Sequence, residues 1–263
     1  MTSRAPALAL LLPGLLVGAC SKPETISGKV VDIWGRPIVG ATMVLEGVPE
    51  HGLTDAQGLF SLELGEGSSR LMAGKDGFIH DVSEVPAPDE EGKRPPVEFQ
   101  LYPDPGEVGF YAIGRENYLA LEDFEAETRG TEVRAMTGLR DIGDVSVSGS
   151  STLRFVFSST LRSERLAQLN LQLHRLEFVG DGSMPGVLGE TPVALNLWSA
   201  TGEAIPFDLV VLPSRDDFLI KLREPLAEGA YAFHTQGSLT NTRYEGLDKL
   251  PKELRRSWAF EVK

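Results

Sequence analysis

Few residues in this chain of 263 are of a kind that does chemistry. Cys20 is the only thiol, and a thiol is a nucleophile once ionised. The histidines are His51, His80, His174 and His234. None stands at a zinc-ligand spacing such as H-E-x-x-H. His174 and His234 fall inside segments that read as strands, where a histidine is ordinarily a surface or core residue. Asp216-Asp217 is the kind of carboxylate pair a glycosidase uses, but the fold must set its separation. In a chain with 38 acids, neighbouring acids arise from composition alone. There is no G-x-S-x-G elbow, no P-loop and no G-x-G-x-x-G. "DPGE" and "PDEEG" lack the alternating oxygen ligands of a calcium loop. The sequence therefore offers no catalytic residues, no metal ligands and no cofactor site. Its candidate binding residues are Trp34, Trp198 and Tyr244, aromatics at or near predicted turns and loops. Such side chains can stack on a sugar or anchor a peptide, and they serve equally well in packing.

The surroundings of Cys20 decide its role. The chain opens MTSRAPALALLLPGLLVGAC, with Arg4 as the only charge before the cysteine. The apolar run from Ala5 to Val17 is shorter than the roughly 20 residues of a membrane-spanning helix. A basic start, an apolar stretch and small residues at the end make a secretory signal. Val17-Gly18-Ala19-Cys20 resembles the lipobox of bacterial lipoproteins, with Val where Leu usually stands. The resemblance implies cleavage before Cys20, a diacylglycerol on its sulfur and an amino terminus open to acylation. Two or three chains make a firm anchor where one holds only marginally. Ser21 is not the Asp that marks inner-membrane retention in many diderm bacteria, so the implied destination is the outer membrane. With Cys20 used, no disulfide forms within the mature chain, and its length must supply the core.

The net charge is −13. An acidic surface disfavours nucleic acid and electrostatic membrane binding, which leaves the lipid as the contact with the membrane.

The elements that must position any site read as strands. Ile26, Gly28 and Val30 lead into the turn Asp32-Ile33-Trp34-Gly35-Arg36-Pro37, and Ile38–Leu45 alternates after it. Asp55-Ala56-Gln57-Gly58 is a second turn, followed by strands at Leu59–Leu64, around "RLMAG" and at Val97–Pro103. These residues resemble the carboxypeptidase regulatory-like domain over about residues 24–103: Val30, Asp32, Gly35, Pro37, Ile38, Gly40, Ala41, Leu45, Thr54, Asp55, Gly58, Phe60, Lys75, Gly77 and Phe78. The resemblance implies a small transthyretin-like sandwich that acts as spacer, folding aid or interaction module and is not itself a catalyst. "VSEVPAPDEEGKRPP" (Val82–Pro96) departs from the pattern and reads as an exposed loop.

"YPDPGEVG" breaks regular structure and marks a boundary. "GFYAIGRENYLALEDF" reads as a hairpin turning near Gly114–Asn117. Strand patterning returns at "STLRFVFSST" and "LNLQLHRLEFVG", where the alternation slips near Arg175, a bulge or a change of buried face. Leu226, Gly229 and Tyr231 stand at the L-x-x-G-x-Y spacing, which resembles the tyrosine corner of Greek-key sandwiches. Gln236–Arg256 is longer than an ordinary hairpin loop. Leu247, Leu250 and Leu254 could share one face of a short helix there, with Pro251 near its first turn.

The expected fold is all-β, with two or more β-sandwich modules, transthyretin-like and then an Ig-like Greek key, after a lipoprotein signal peptide. The expected organisation is a signal over 1–19, a tether over 20–25, a first sandwich over 26–103, a joined hairpin and irregular segment over 104–147 and a second sandwich over 148–263. The expected role is non-catalytic, binding or structural. The partners are the membrane, through the lipid on Cys20, and a protein or glycan of the envelope; nucleic acid is not among them. The alternative is an envelope hydrolase using acids of the C-terminal domain. A third reading is an assembly component that pairs through an exposed strand edge.

Overall fold

Strands turn successive side chains to opposite faces, and the chain obeys that rule from Thr25 onward: Ile26, Gly28 and Val30 are buried while Thr25 and Ser27 are exposed. The computed structural model describes residues 24–65, 67–149, 153–164, 169–214, 216–240 and 251–263. The chain is all-β, a stack of sandwiched sheets with no α-helix among the described residues.

The first sandwich comprises β1 (Thr25–Asp32), β2 (Thr42–Leu45), β3 (His51–Leu53), β4 (Leu59–Glu63), β5 (Arg70–Gly74), β6 (Phe78–Ile79), β7 (Asp81–Glu84) and β8 (Val97–Pro103). They form two four-stranded sheets, β4-β1-β8-β6 and β3-β2-β5-β7. All pairings are antiparallel except β1 with β8. Ile26, Val30, Phe60 and Phe99 of one sheet meet Met43, Leu45, Leu71 and Ala73 of the other. The polar residues between strands hold the turns. Asp32 Oδ1 accepts the N–H groups of Trp34 and Arg36 at 2.9 Å, and its Oδ2 pairs with Arg36 Nε at 2.6 Å. Buried Thr54 accepts the Ala41 N–H at 2.8 Å and donates to the Ile38 carbonyl at 2.6 Å. Gly58 sits at φ 74° against the Val30 carbonyl, where no Cβ fits. The segment from Val82, expected as loop, begins as part of β7, because Leu71 to Ala73 offer it an open edge. The loop proper starts after Glu84 and is pinned where Arg94 meets Glu24 and the Pro86 carbonyl.

The second sandwich opens with β9 (Gly109–Ile113), β10 (Tyr118–Ala120), β11 (Glu122–Phe124), β12 (Glu127–Gly130), β13 (Ala135–Gly138), β14 (Ser146–Val147), β15 (Arg154–Ser158) and β16 (Leu171–Val179). It continues with β17 (Gly182–Gly186), β18 (Gly189–Val193), β19 (Leu197–Thr201), β20 (Phe207–Val211), β21 (Asp217–Leu222), β22 (Gly229–Thr235) and β23 (Ser257–Val262). One sheet has the order β10-β9-β15-β21-β20; the other is β11-β23-β22-β16-β19, with β14 also on β23. Within residues 109–147, β9, β10, β11 and β14 thus join the same two sheets as the rest of the C-terminal region, while β12 and β13 pair as a hairpin of their own. A stack of rings fills the space between them. Phe110 lies 4.3 Å from Phe157 and 4.6 Å from Phe233, with Phe155 and Phe260 packed on Phe233. Tyr231 donates its hydroxyl to the Ala227 carbonyl at 2.8 Å, closing the corner that the L-x-x-G-x-Y spacing suggested.

The outer face of the six-stranded sheet is covered too. Leu139, Leu176, Ala230, Ala232, Leu239 and Ala259 form a second apolar cluster there. This explains the slip near Arg175. β16 runs in unbroken register with β22, so there is no bulge. Leu173 faces the main core while His174 and Leu176 face the outer cluster. Of the suspected helix in Gln236–Arg256, a 3-10 turn at Lys252–Arg255 is described, with Leu254 fully buried. Leu247 and Leu250 lie outside the described residues.

Candidate functional site

The two sandwiches meet through a tryptophan. Asp32 fixes the turn that carries Trp34, and this turn reaches the β9–β10 hairpin of the second sandwich. Trp34 Nε1 donates to the Gly114 carbonyl at 2.9 Å. Its ring stands edge-on to Tyr118 at 5.6 Å, and the Arg36 guanidinium lies 4.6 Å from its centroid. Tyr118 returns the contact by donating its hydroxyl to the Pro103 carbonyl at 3.1 Å. Burial raises the Tyr118 pKa, so the phenol stays a donor at any physiological pH. Beside this clamp, Ile79 and Tyr102 of the first sandwich pack on Ile113, Leu212 and Leu219 of the second.

A crevice of about 470 Å³ opens at this joint. Ile33 and Trp34 line it from the first sandwich; Leu119, Leu153 and the hydroxyl-bearing Ser146 and Ser148 line it from the second. Arg115 and Arg154 also line it. Arg115 sits in the β9–β10 turn. Arg154 starts β15, one step beyond the Phe155–Ala112 pair of β15 and β9, so both side chains stand at the same end of one sheet. Ligand sites favour such joints between modules.

A second polar group lies on the outer face of the six-stranded sheet. His174 Nδ1 and His234 Nε2 are 2.8 Å apart, and His234 Nδ1 is 2.9 Å from the Thr235 carbonyl. A carbonyl only accepts, so His234 carries its proton on Nδ1 and accepts on Nε2 from His174 Nδ1–H. Burial lowers both pKa values, that of His234 to about 4. His174 lines a cavity of about 400 Å³ with Gln172, Ser199 and Glu203. Ser257, paired across from His234, is fully buried with no partner for its hydroxyl.

Of the residues singled out by the sequence, the described ones fall in different places. Trp34 is committed within the chain: its N–H is used and one flank carries Arg36, so it is a wall and a clamp, not an open stacking platform. Trp198 is half-buried in β19, packed edge-on against Phe178 at 5.5 Å, and its backbone exchanges two 2.8 Å bonds with Leu139. Tyr244 and Cys20 lie outside the described residues. Asp216 and Asp217 separate by burial: Asp216 is exposed, Asp217 is 5% exposed and burial raises its carboxyl pKa. Among the described residues no group of three or more His, Cys, Asp or Glu could hold a metal ion. Arg115 and Arg154 carried no motif, and the only available signal was the former's place in the predicted β9–β10 turn. The histidine pair joins residues 60 positions apart, a proximity that no spacing rule reveals.

No family model matches the chain, and no curated protein matches it. Among solved structures it is similar to BcpA, the major pilin subunit of Bacillus cereus, at 10% identity and a TM-score of 0.23. The match covers 92% of this chain and 69% of the pilin. A superposition that poor transfers no property to this chain.

Proposed function

We propose that this chain is a lipid-anchored protein of the bacterial cell envelope that works by binding, with its two sandwiches held as one body. The observation that carries the reading is the joint: Trp34 clamps one sandwich to the other, and the crevice beside it takes walls from both. A binding surface shared between two modules exists only while they are fixed together, so the clamp is what makes the crevice a site. The lipobox at Val17–Cys20 supports the anchor, and Ser21 supports an outer-membrane address. The first strand begins at Thr25, so the tether is short. At about 3.3–3.6 Å per extended residue it spans less than about 20 Å. The first sandwich is then held near the bilayer, and the second faces protein or glycan partners. The likeness of residues 24–103 to the carboxypeptidase regulatory-like domain fits a spacer and interaction module.

Two measurements test the reading. Intact mass of the protein from a membrane fraction should begin at Cys20 with added acyl mass; an unmodified Cys20 removes the anchor. Oxidative footprinting should find Leu119 protected in envelope membranes and reactive in the purified chain. Equal reactivity in both removes the crevice as the binding surface.

A further inference from the structure

We infer that the crevice between the sandwiches takes a small ligand bearing an oxyanion, a carboxylate or phosphate group carried on a compact and partly apolar body. The inference rests on the reading of the crevice as a binding surface and adds the chemistry of what enters it.

Charge is the first argument. The chain is strongly acidic, at −13, and most of its ion pairs tie an arginine to a carboxylate: Arg36 to Asp32, Arg94 to Glu24, Arg129 and Arg140 to Glu127, Arg223 to Asp208 and Arg256 to Asp123. Arg70, Arg115, Arg134, Arg154, Arg162 and Arg175 have no such partner among the described residues; of these, Arg115 and Arg154 line the crevice. Two cations left unpaired at one end of one sheet repel each other, which costs free energy unless something offsets it. An anion between them does so. A guanidinium is a planar fork of donors matched to carboxylate and phosphate oxygens.

The lining is the second argument. Arg36, beside the joint, is held by Asp32 and lies over the Trp34 ring, and the described lining of the crevice has two guanidinium groups and no third. Ser146 adds a hydroxyl that can bond to an oxyanion or to ring hydroxyls, and Ile33, Leu119 and Leu153 give an apolar floor. A volume of about 470 Å³ lies in the range of small-molecule sites and excludes a folded partner. Both guanidinium groups are exposed at the rim, so the attraction is screened by salt.

Three sugars that share a ring and differ in charge test this: glucuronate, glucose 6-phosphate and glucose, titrated calorimetrically into the full mature chain in detergent. The two charged sugars should bind, and glucose should bind at least about tenfold more weakly, the weight of one charge-assisted hydrogen bond. The Arg115→Gln/Arg154→Gln variant should lose the preference while keeping its melting temperature, since neither side chain holds the fold. Affinity for the charged sugars should fall from low to high salt. The better of the two charged sugars tells whether carboxylate or phosphate is the group selected. Glucose binding as tightly as the charged sugars overturns the inference. So does a double variant that binds them as the wild type does, and so does failure of both charged sugars to bind. In each of those cases the footprint at Leu119 still decides the binding reading on its own, because that leucine reports occupancy whatever the ligand's charge.

Discussion

His234 is fully buried and shares its two ring nitrogens between a carbonyl and His174. Desolvation pushes its pKa from 6.5 down to about 4. The unfolded chain takes up this proton near pH 6.5 and the folded chain only near pH 4, so the unfolded state binds more protons between those values. Stability contributed by the neutral pair is therefore complete above pH 6.5 and lost as pH falls toward 4, by up to about 3 kcal/mol at some 1.4 kcal/mol per unit. Urea unfolding at pH 7.5 and pH 4.5 measures it. His234→Asn should flatten the difference even if it lowers stability at both pH values; an unchanged difference would show that another group is responsible. Sequence could place each histidine inside a strand and nothing more. Partners 60 residues apart meet only because β16 and β22 pair. Trp34 was legible as a turn aromatic, but what it touches belongs to the other sandwich, and no local pattern encodes that.

Strands and turns were legible because they depend on neighbours in the chain. The Asp32 and Asp55 turns follow from side chains bonding backbone two to four residues away, and the tyrosine corner closes over four. Pairing at long range was not legible: β19 and β20 adjoin in sequence yet enter different sheets. Two hairpins outside the sheets show the same limit. Thr131 of the β12–β13 turn donates to the Pro185 carbonyl in β17, and Arg129 reaches the Leu195 carbonyl at 2.7 Å. The pair is thus braced as one arm, whose turns leave Val133, Val187 and Leu188 exposed while Met184 is 5% exposed. Leu188→Ser should change stability by less than about 0.5 kcal/mol, as exposed sites do. Met184→Ala should cost about 2 kcal/mol or more by opening a cavity under the arm. Denaturant midpoints of the two variants make the comparison; a larger loss for Leu188→Ser would mean the tip packs against something.

At the scale of the molecule, the proposed binding role depends on the two sandwiches keeping one arrangement. Short connections such as residues 104–108 limit their separation but not their orientation, and orientation comes from the Trp34 clamp and the apolar contact around Ile113 and Leu219. The crevice and the two arginines that line it follow from that joint. Calorimetric unfolding of the wild-type chain and of Trp34→Ala is the most direct test. The account predicts one cooperative transition for the wild type and two separated transitions for the variant, each sandwich then melting by itself. A variant that melts in one transition at the wild-type temperature, or a wild type that already melts in two, would contradict it.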